Sequence, residues 1–219
     1  MPTVYSTASL DGWILRESTV DWDDARQKDE GTAYSSSDAK IATAFGTAHD
    51  PTRGGGARWR VWRSFVQFDG RGITDSVYSA TLSIYPRQGN TADFFVVKAD
   101  DIESGFDLTT FDDIDGWTAS GDQEGNVRKY SAEFDVSEDW NLSAYNEIAL
   151  NSNAMVDMTR NAFFTICLIE SVHDLRDSEP ALGASANYTG MFYADQSGTT
   201  YDPKIDYEIS NATFFGANF

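Results

Sequence analysis

The chain is short of cysteine, histidine, proline and basic residues, and most of these shortages exclude something. One cysteine in 219 residues rules out an internal disulfide. Cys167 stands in FFTICLIE with Phe163, Thr165 and Ile169 on its own face, the setting of a small core hydrophobe and not of a nucleophile. The two histidines, His49 and His173, each precede an aspartate in loop-like surroundings, and both read as solvated loop residues. No Gly-x-Ser-x-Gly elbow accompanies them, so a serine-hydrolase triad has nothing to build on. Sixteen Lys and Arg face 35 Asp and Glu, a formal charge of −19 that repels nucleic acid and anionic lipid. Long apolar runs are missing as well. Residues 94–97 and 166–169 are strand-sized, far below the roughly 18 residues of a membrane helix. The opening MPTVYSTASLDGW lacks the basic region and apolar core of a secretory signal. The expectation is therefore a protein that stays in the cell where it is made or leaves it in an assembled particle.

What is present is patterned apolar sequence. Hydrophobic residues make up 41% and aromatics 14%, enough for a real core. In residues 76–86, Tyr78, Ala80, Leu82 and Ile84 alternate with Val77, Ser79, Thr81 and Ser83, a period of two that marks a half-buried strand. Upstream, Trp62, Val66 and Phe68 share one face and Arg63 and Gln67 the other, before turn chemistry at Asp69-Gly70 and Gly72. Further strands are predicted at residues 12–17, 93–99, 128–136, 147–150, 162–170, 188–194 and 204–210. One short helix is predicted at 153–160, where Ala154, Met155 and Met158 form an apolar face. Residues 21–30 read as a charged turn, 31–56 as a flexible connection ending in Gly54–Gly56, and 100–126 as a long acidic loop. Many short strands between Gly, Asp and Ser turns predict an all-β jelly roll or β-sandwich of antiparallel strands with long acidic loops. Residues 1–210 form its single domain and 211–219 an aromatic C-terminal tail.

Candidate sites fall into three groups. Arg58, Arg60 and Arg63, with Arg53 and Arg71 nearby, gather in an otherwise acidic chain. Salt bridges to the acidic surface of an adjacent copy suit them better than nucleic acid, and no Gly-Lys-Ser/Thr follows the triple glycine to make a phosphate loop. Phe214, Phe215 and Phe219 of the tail would be costly to leave exposed and complete the proposed assembly interface. Trp13, Trp22, Trp117 and Trp140 lie near polar residues and form the candidate sugar contacts, the competing reading being burial. Acidic clusters at Asp21, Asp23 and Asp24, at Asp100, Asp101 and Glu103, and at Asp112, Asp113 and Asp115 suit a structural calcium or plain solvated turns. Asp113-x-Asp115-Gly116 is not an EF-hand, because its first position would be Phe111.

Four segments together resemble the DNRLRE-type β-sandwich family, similar to carbohydrate-binding jelly rolls. RSFVQFD at 63–69 resembles the family's arginine, apolar strand and Phe-Asp, and SATLSIY at 79–85 its Ser-Ala-Thr-Leu strand. NEIALNSNAMVDMTRNA at 146–162 resembles the segment where a strand meets a short helical turn, and residues 170–174 then Pro180, with PKIDYEI at 203–209, the closing acidic loop and the last strand. The family includes extracellular binding modules and proteins encoded by tailed bacteriophages. The resemblance implies a non-enzymatic structural component of a tailed-phage virion, a capsid decoration or a fibre or spike protein, assembled in the host cytoplasm. Its partners would be copies of itself and other virion proteins, with neither nucleic acid nor membrane. The alternative is a carbohydrate-binding module for cell-surface or extracellular polysaccharide. Nothing in the sequence argues for an enzyme.

Overall fold

The computed structural model describes residues 1–219 except 90, 101, 103–104, 184–186, 195–197 and 211–219, with backbone alone at 8 and 9. Among the described residues eleven strands are hydrogen-bonded into one continuous, antiparallel, β-sandwich-like array. The all-β class expected from the sequence is what the structure shows. Among the described residues no helix is long and apolar enough to cross a membrane.

The frame is set by two long strands, β1 (Thr3–Ser18) and β4 (Ala57–Asp69). From Asp11 to Ser18, β1 pairs with β4 on one edge and takes the short β2 (Ala33–Ser35) on the other. The far edge of β4 is divided: β3 (Lys40–Pro51) pairs with its first half and β9 (Phe163–Glu170) with its second. Beyond β3 lie β10 (Asn187–Phe192) and β6 (Pro86–Gln88), and beyond β9 lies β7 (Phe94–Lys98). At its start, Thr3–Tyr5, β1 joins a second sheet through β11 (Lys204–Ile209), followed by β5 (Val77–Ile84) and β8 (Asn146–Ala149). The register of β1 breaks between Ser6 and Asp11, where it turns from one sheet into the other.

One core lies between the sheets. Leu82, Ile84, Ile148 and Ile205 from the four-stranded sheet meet Val66, Phe68, Phe164, Ile166 and Phe94 from the larger one. The larger sheet is also covered on its other face. There Ile14, Val61, Phe65, Cys167 and Ile169 pack against Trp22 and Ala25 of α1 (Trp22–Arg26) and against Phe106, Phe111 and Ile114 of the long connection. Burial on both faces explains why β9 reads as a nearly continuous apolar run without alternation. The four-stranded sheet keeps its outer face in water. Across it run Thr3, Asp206, Thr81 and Ala149 as successive paired residues, the polar side of an ordinary alternating sheet.

Several local expectations change. Residues 31–56 are not a flexible connection, because they contain β2 and the twelve-residue β3. The alternation in β5 slips at its start: Tyr78 is 58% exposed and Val77 is buried, since the ladder with β11 shifts register between Glu208 and Ile209. Residues 128–136 make isolated bridges, Val97 with Lys129 and Phe94 with Phe134, instead of a strand, and Val136 opens the single-turn α2 (Val136–Asp139). The charged turn at 21–30 holds α1, whose start is capped by Asp21 accepting from the Asp24 N–H at 2.7 Å. The helix expected at 153–160 is present as α3 (Ser152–Arg160), capped by the Asn151 side chain and burying Ala154 and Met158.

Candidate functional site

The arginine group separates once it is folded. Arg63 points from β4 into the layer beneath the loops and is 0% exposed, so it cannot fasten a neighbouring copy. Its Nε and Nη2 donate to the two oxygens of Asp174 at 2.8 and 2.7 Å, the planar fork meeting the carboxylate bidentately. Nη1 donates to the Phe111 carbonyl at 2.8 Å and Nη2 to that of Arg26 at 3.3 Å. The rings of Phe111 and Trp117 stand 4.2 and 4.1 Å from its guanidinium carbon. Arg26 is buried beside it, donating to the carbonyls of Ala119 and Gly121 at 3.0 and 2.9 Å and lying 3.3 Å from Asp177. Asp174 is presented by a π-helical turn (Ser171–Leu175) that Glu170 caps, its carboxylate accepting from the N–H groups of Val172, His173 and Asp174. Together these bonds tie the connection, α1 and the turn after β9 onto the larger sheet.

Arg58 and Arg60 lie on the same strand nearer its start, half-buried, where Arg58 meets Glu17 at 3.3 Å and Arg60 pairs with Asp50. Among the described residues all 16 basic side chains except Lys40, Arg53, Arg87 and Arg160 pair with a carboxylate. Phe214, Phe215 and Phe219 lie outside the described residues.

The tryptophans do not form a platform. Trp22 is 5% exposed, with its indole N–H given to Asp177 at 3.0 Å, and is unavailable to a sugar. Trp117 is wedged against Arg26 and Arg63, and Trp13 gives its N–H to Asp38 at 3.0 Å. Trp140 packs edge-on to Phe94 and Phe134. Of the two histidines, His49 is not the solvated loop residue expected, whereas His173 is partly exposed in the turn after β9. His49 is buried on β3, stacked on Trp59 at 4.5 Å, with Nδ1 2.7 Å from the Pro180 carbonyl.

The acidic clusters are mostly committed to local structure. Asp21 caps α1, and Asp24 pairs with Arg16 and Lys28. Asp101 and Glu103 lie outside the described residues. Burial and the neighbouring Asp112, Asp100 and Asp107 push Asp113 up to about 6. Among the described residues no three His, Cys, Asp or Glu side chains converge as a metal would require.

Two clefts remain. The first, of about 400 Å³, opens where the end of β7, Tyr130, the end of α3 and the start of β9 meet. Tyr130 stacks on Phe164 at 5.0 Å and donates its hydroxyl to Asp157 at 2.6 Å, while Lys98, Asp100, Arg160, Asn161 and Phe163 also line the cleft. Burial first, then the bond to Asp157, raises the Tyr130 phenol far above its ordinary range, so it is a fixed donor and not a base. The second cleft, of about 470 Å³, is bordered by Phe134, Asp139, Asn141 and Tyr145. Tyr145 opens onto an aromatic cluster in which Tyr85 meets Tyr145, Phe192 and Tyr201 at 5.3, 5.7 and 4.4 Å, with Lys204 over Tyr145 at 5.2 Å.

Sequence reasoning missed Arg160, Asn161 and Phe163, because a helix end followed by an apolar strand carries no signal of a cleft. It missed the Asp174 partner of Arg63 too, since the two are 111 residues apart. No protein-family model matches the chain, and no curated protein matches it.

Proposed function

We propose that this chain is a non-enzymatic structural component of a tailed-phage virion, a jelly-roll protein that decorates the capsid or forms part of a fibre or spike. The observation that supports this best is the division between a locked interior and a plain exterior. Buried ion pairs and two cores fix every layer onto the larger sheet, while the four-stranded sheet presents an uncovered polar face ending in β8, whose outer edge has no partner strand among the described residues. Such a body acts by shape, offering one face and one edge to symmetric neighbours. The tail carrying Phe214, Phe215 and Phe219 follows Ser210, which is anchored to the Ser76 carbonyl at 2.9 Å beside that same face. Arg58 and Arg60 keep a place in this reading as half-exposed members of ion pairs that a neighbour's carboxylate can share.

Density-gradient sedimentation of the native source lysate, with the chain followed by mass spectrometry, tests the reading. Co-migration with DNA-filled particles is expected, and recovery only as a small soluble species refutes it. Deleting residues 212–219 should leave a folded domain that no longer assembles, and normal assembly of the truncated chain removes the tail from the mechanism.

The first cleft favours one second reading, carbohydrate binding at a virion or cell surface. A cleft whose lining includes Tyr130 and Phe163 together with Lys98, Asp100, Arg160 and Asn161 suits a polar ligand. Glycan binding that Arg160→Ala and Asn161→Ala abolish would support it, and binding unaffected by both would place any sugar elsewhere.

A further inference from the structure

Asp11 lies at the seam where β1 leaves the larger sheet for the smaller. It is 1% exposed. Its Oδ2 accepts from the Ser6 hydroxyl at 3.0 Å and from the Ala194 N–H at 2.7 Å. Its Oδ1 is buried with no hydrogen-bond partner among the described residues. Ser6 in turn donates its backbone N–H to the Pro203 carbonyl at 2.9 Å. The carboxyl group therefore bonds the register break of β1 to the chain leaving β10, and the Ser6 backbone carries the link on to the corner that precedes β11.

An ionised carboxylate buried with an empty oxygen is costly unless a cation or further donors answer it. The groups facing Asp11 are of the wrong kind. Asp202, itself buried in the corner before β11, adds negative charge. Tyr193, just past β10, holds its phenol against Ser64 at 2.6 Å and stays neutral, with Asp38 beyond it also acidic. No lysine or arginine bonds either oxygen of Asp11 among the described residues.

We propose that Asp11 is a proton-operated latch: neutral, it holds the three segments at the seam together, and ionised, its buried charge faces Asp202 and loosens them. Burial above all, with Asp202 adding to it, pushes this carboxyl up to about 7 against the opposing bonds from Ala194 and Ser6. The folded chain thus keeps a proton that the unfolded chain has already lost between the ordinary carboxyl range and neutrality. Stability at the seam is greatest at the acid end of that window and falls as pH rises through it. The latch is independent of whether the chain serves a virion or binds sugar.

Carboxyl-carbon NMR of the labelled full chain, recorded from about pH 4 to about pH 9, follows Asp11 directly. Amide exchange at Ala194, corrected for intrinsic exchange, reports the seam over the same range. The expected result is an Asp11 midpoint near neutrality and a loss of Ala194 protection of about tenfold or more across it. Asp11→Asn, whose amide oxygen can accept the same two bonds, should show protection that no longer depends on pH. A midpoint in the ordinary carboxylate range, or flat Ala194 protection in the unmutated chain, overturns the proposal even if the variant fails to fold. Repeating the titration with calcium chloride adds a second arm. A midpoint lowered by about one unit or more would make a cation the counter-charge and overturn the proton latch.

Discussion

Arg63→Met should cost the protein much of its stability while leaving its surface unchanged. The methionine keeps an apolar stem between Phe111 and Trp117 but removes every donor. Asp174, 0% exposed, then faces only the Arg26 guanidinium at 3.8 Å, and the carbonyls of Phe111 and Arg26 each lose a bond. Removing one partner of a buried ion pair costs about 3–5 kcal/mol. Domains are stable by roughly 5–15 kcal/mol, so the variant should lie near the threshold of unfolding. Urea unfolding followed by tryptophan fluorescence reads the loss as a lower midpoint. A double-mutant cycle with Asp174→Asn separates the pair from its surroundings, and coupling of about 1–3 kcal/mol is expected for side chains in direct contact. A loss below about 1 kcal/mol for Arg63→Met, the size of an exposed pair, would refute the claim that this clamp holds the loop layer to the sheet.

Glu124, bonded first by Arg176 and then by Lys129, is held down at about 2, so its pairing is present above the ordinary glutamate range and lost only as pH falls through about 2. Arg176→Met should return its NMR midpoint toward ordinary glutamate values, and an unchanged midpoint would mean the bonds are not made in solution. Burial raises the Cys167 thiol well above its usual range, so native protein should resist a thiol-specific reagent until denaturant is added. Prompt labelling of the native chain would show that β9 opens more readily than a doubly covered strand should.

Local pattern was enough for much of the frame. Residues 162–170, 188–194 and 204–210 could be read as strands because apolar and β-branched side chains recur there between turns, and β9, β10 and β11 occupy those places within two residues. The Ala-Met face of α3 was legible for the same reason. β3 was not, since KIATAFGTAHDP is rich in small and polar residues, and it is a strand because β4 and β10 hold it from both sides. The cleft was illegible throughout: Lys98, Tyr130 and Arg160 come from three segments whose meeting no spacing reveals.

The sequence by itself determined the class of fold, the anionic surface and the inert cysteine, because periodicity, charge and thiol count are sums over local residues. Only the tertiary structure decided what the charges do. Arg63 looked like part of a fastening patch and became the centre of a buried clamp, and Asp11 looked like one acid among 35 and became the unanswered carboxyl at the seam. The reason is physical: the state of a charge depends on the dielectric and the partners around it, and these arrive from residues far away in the chain.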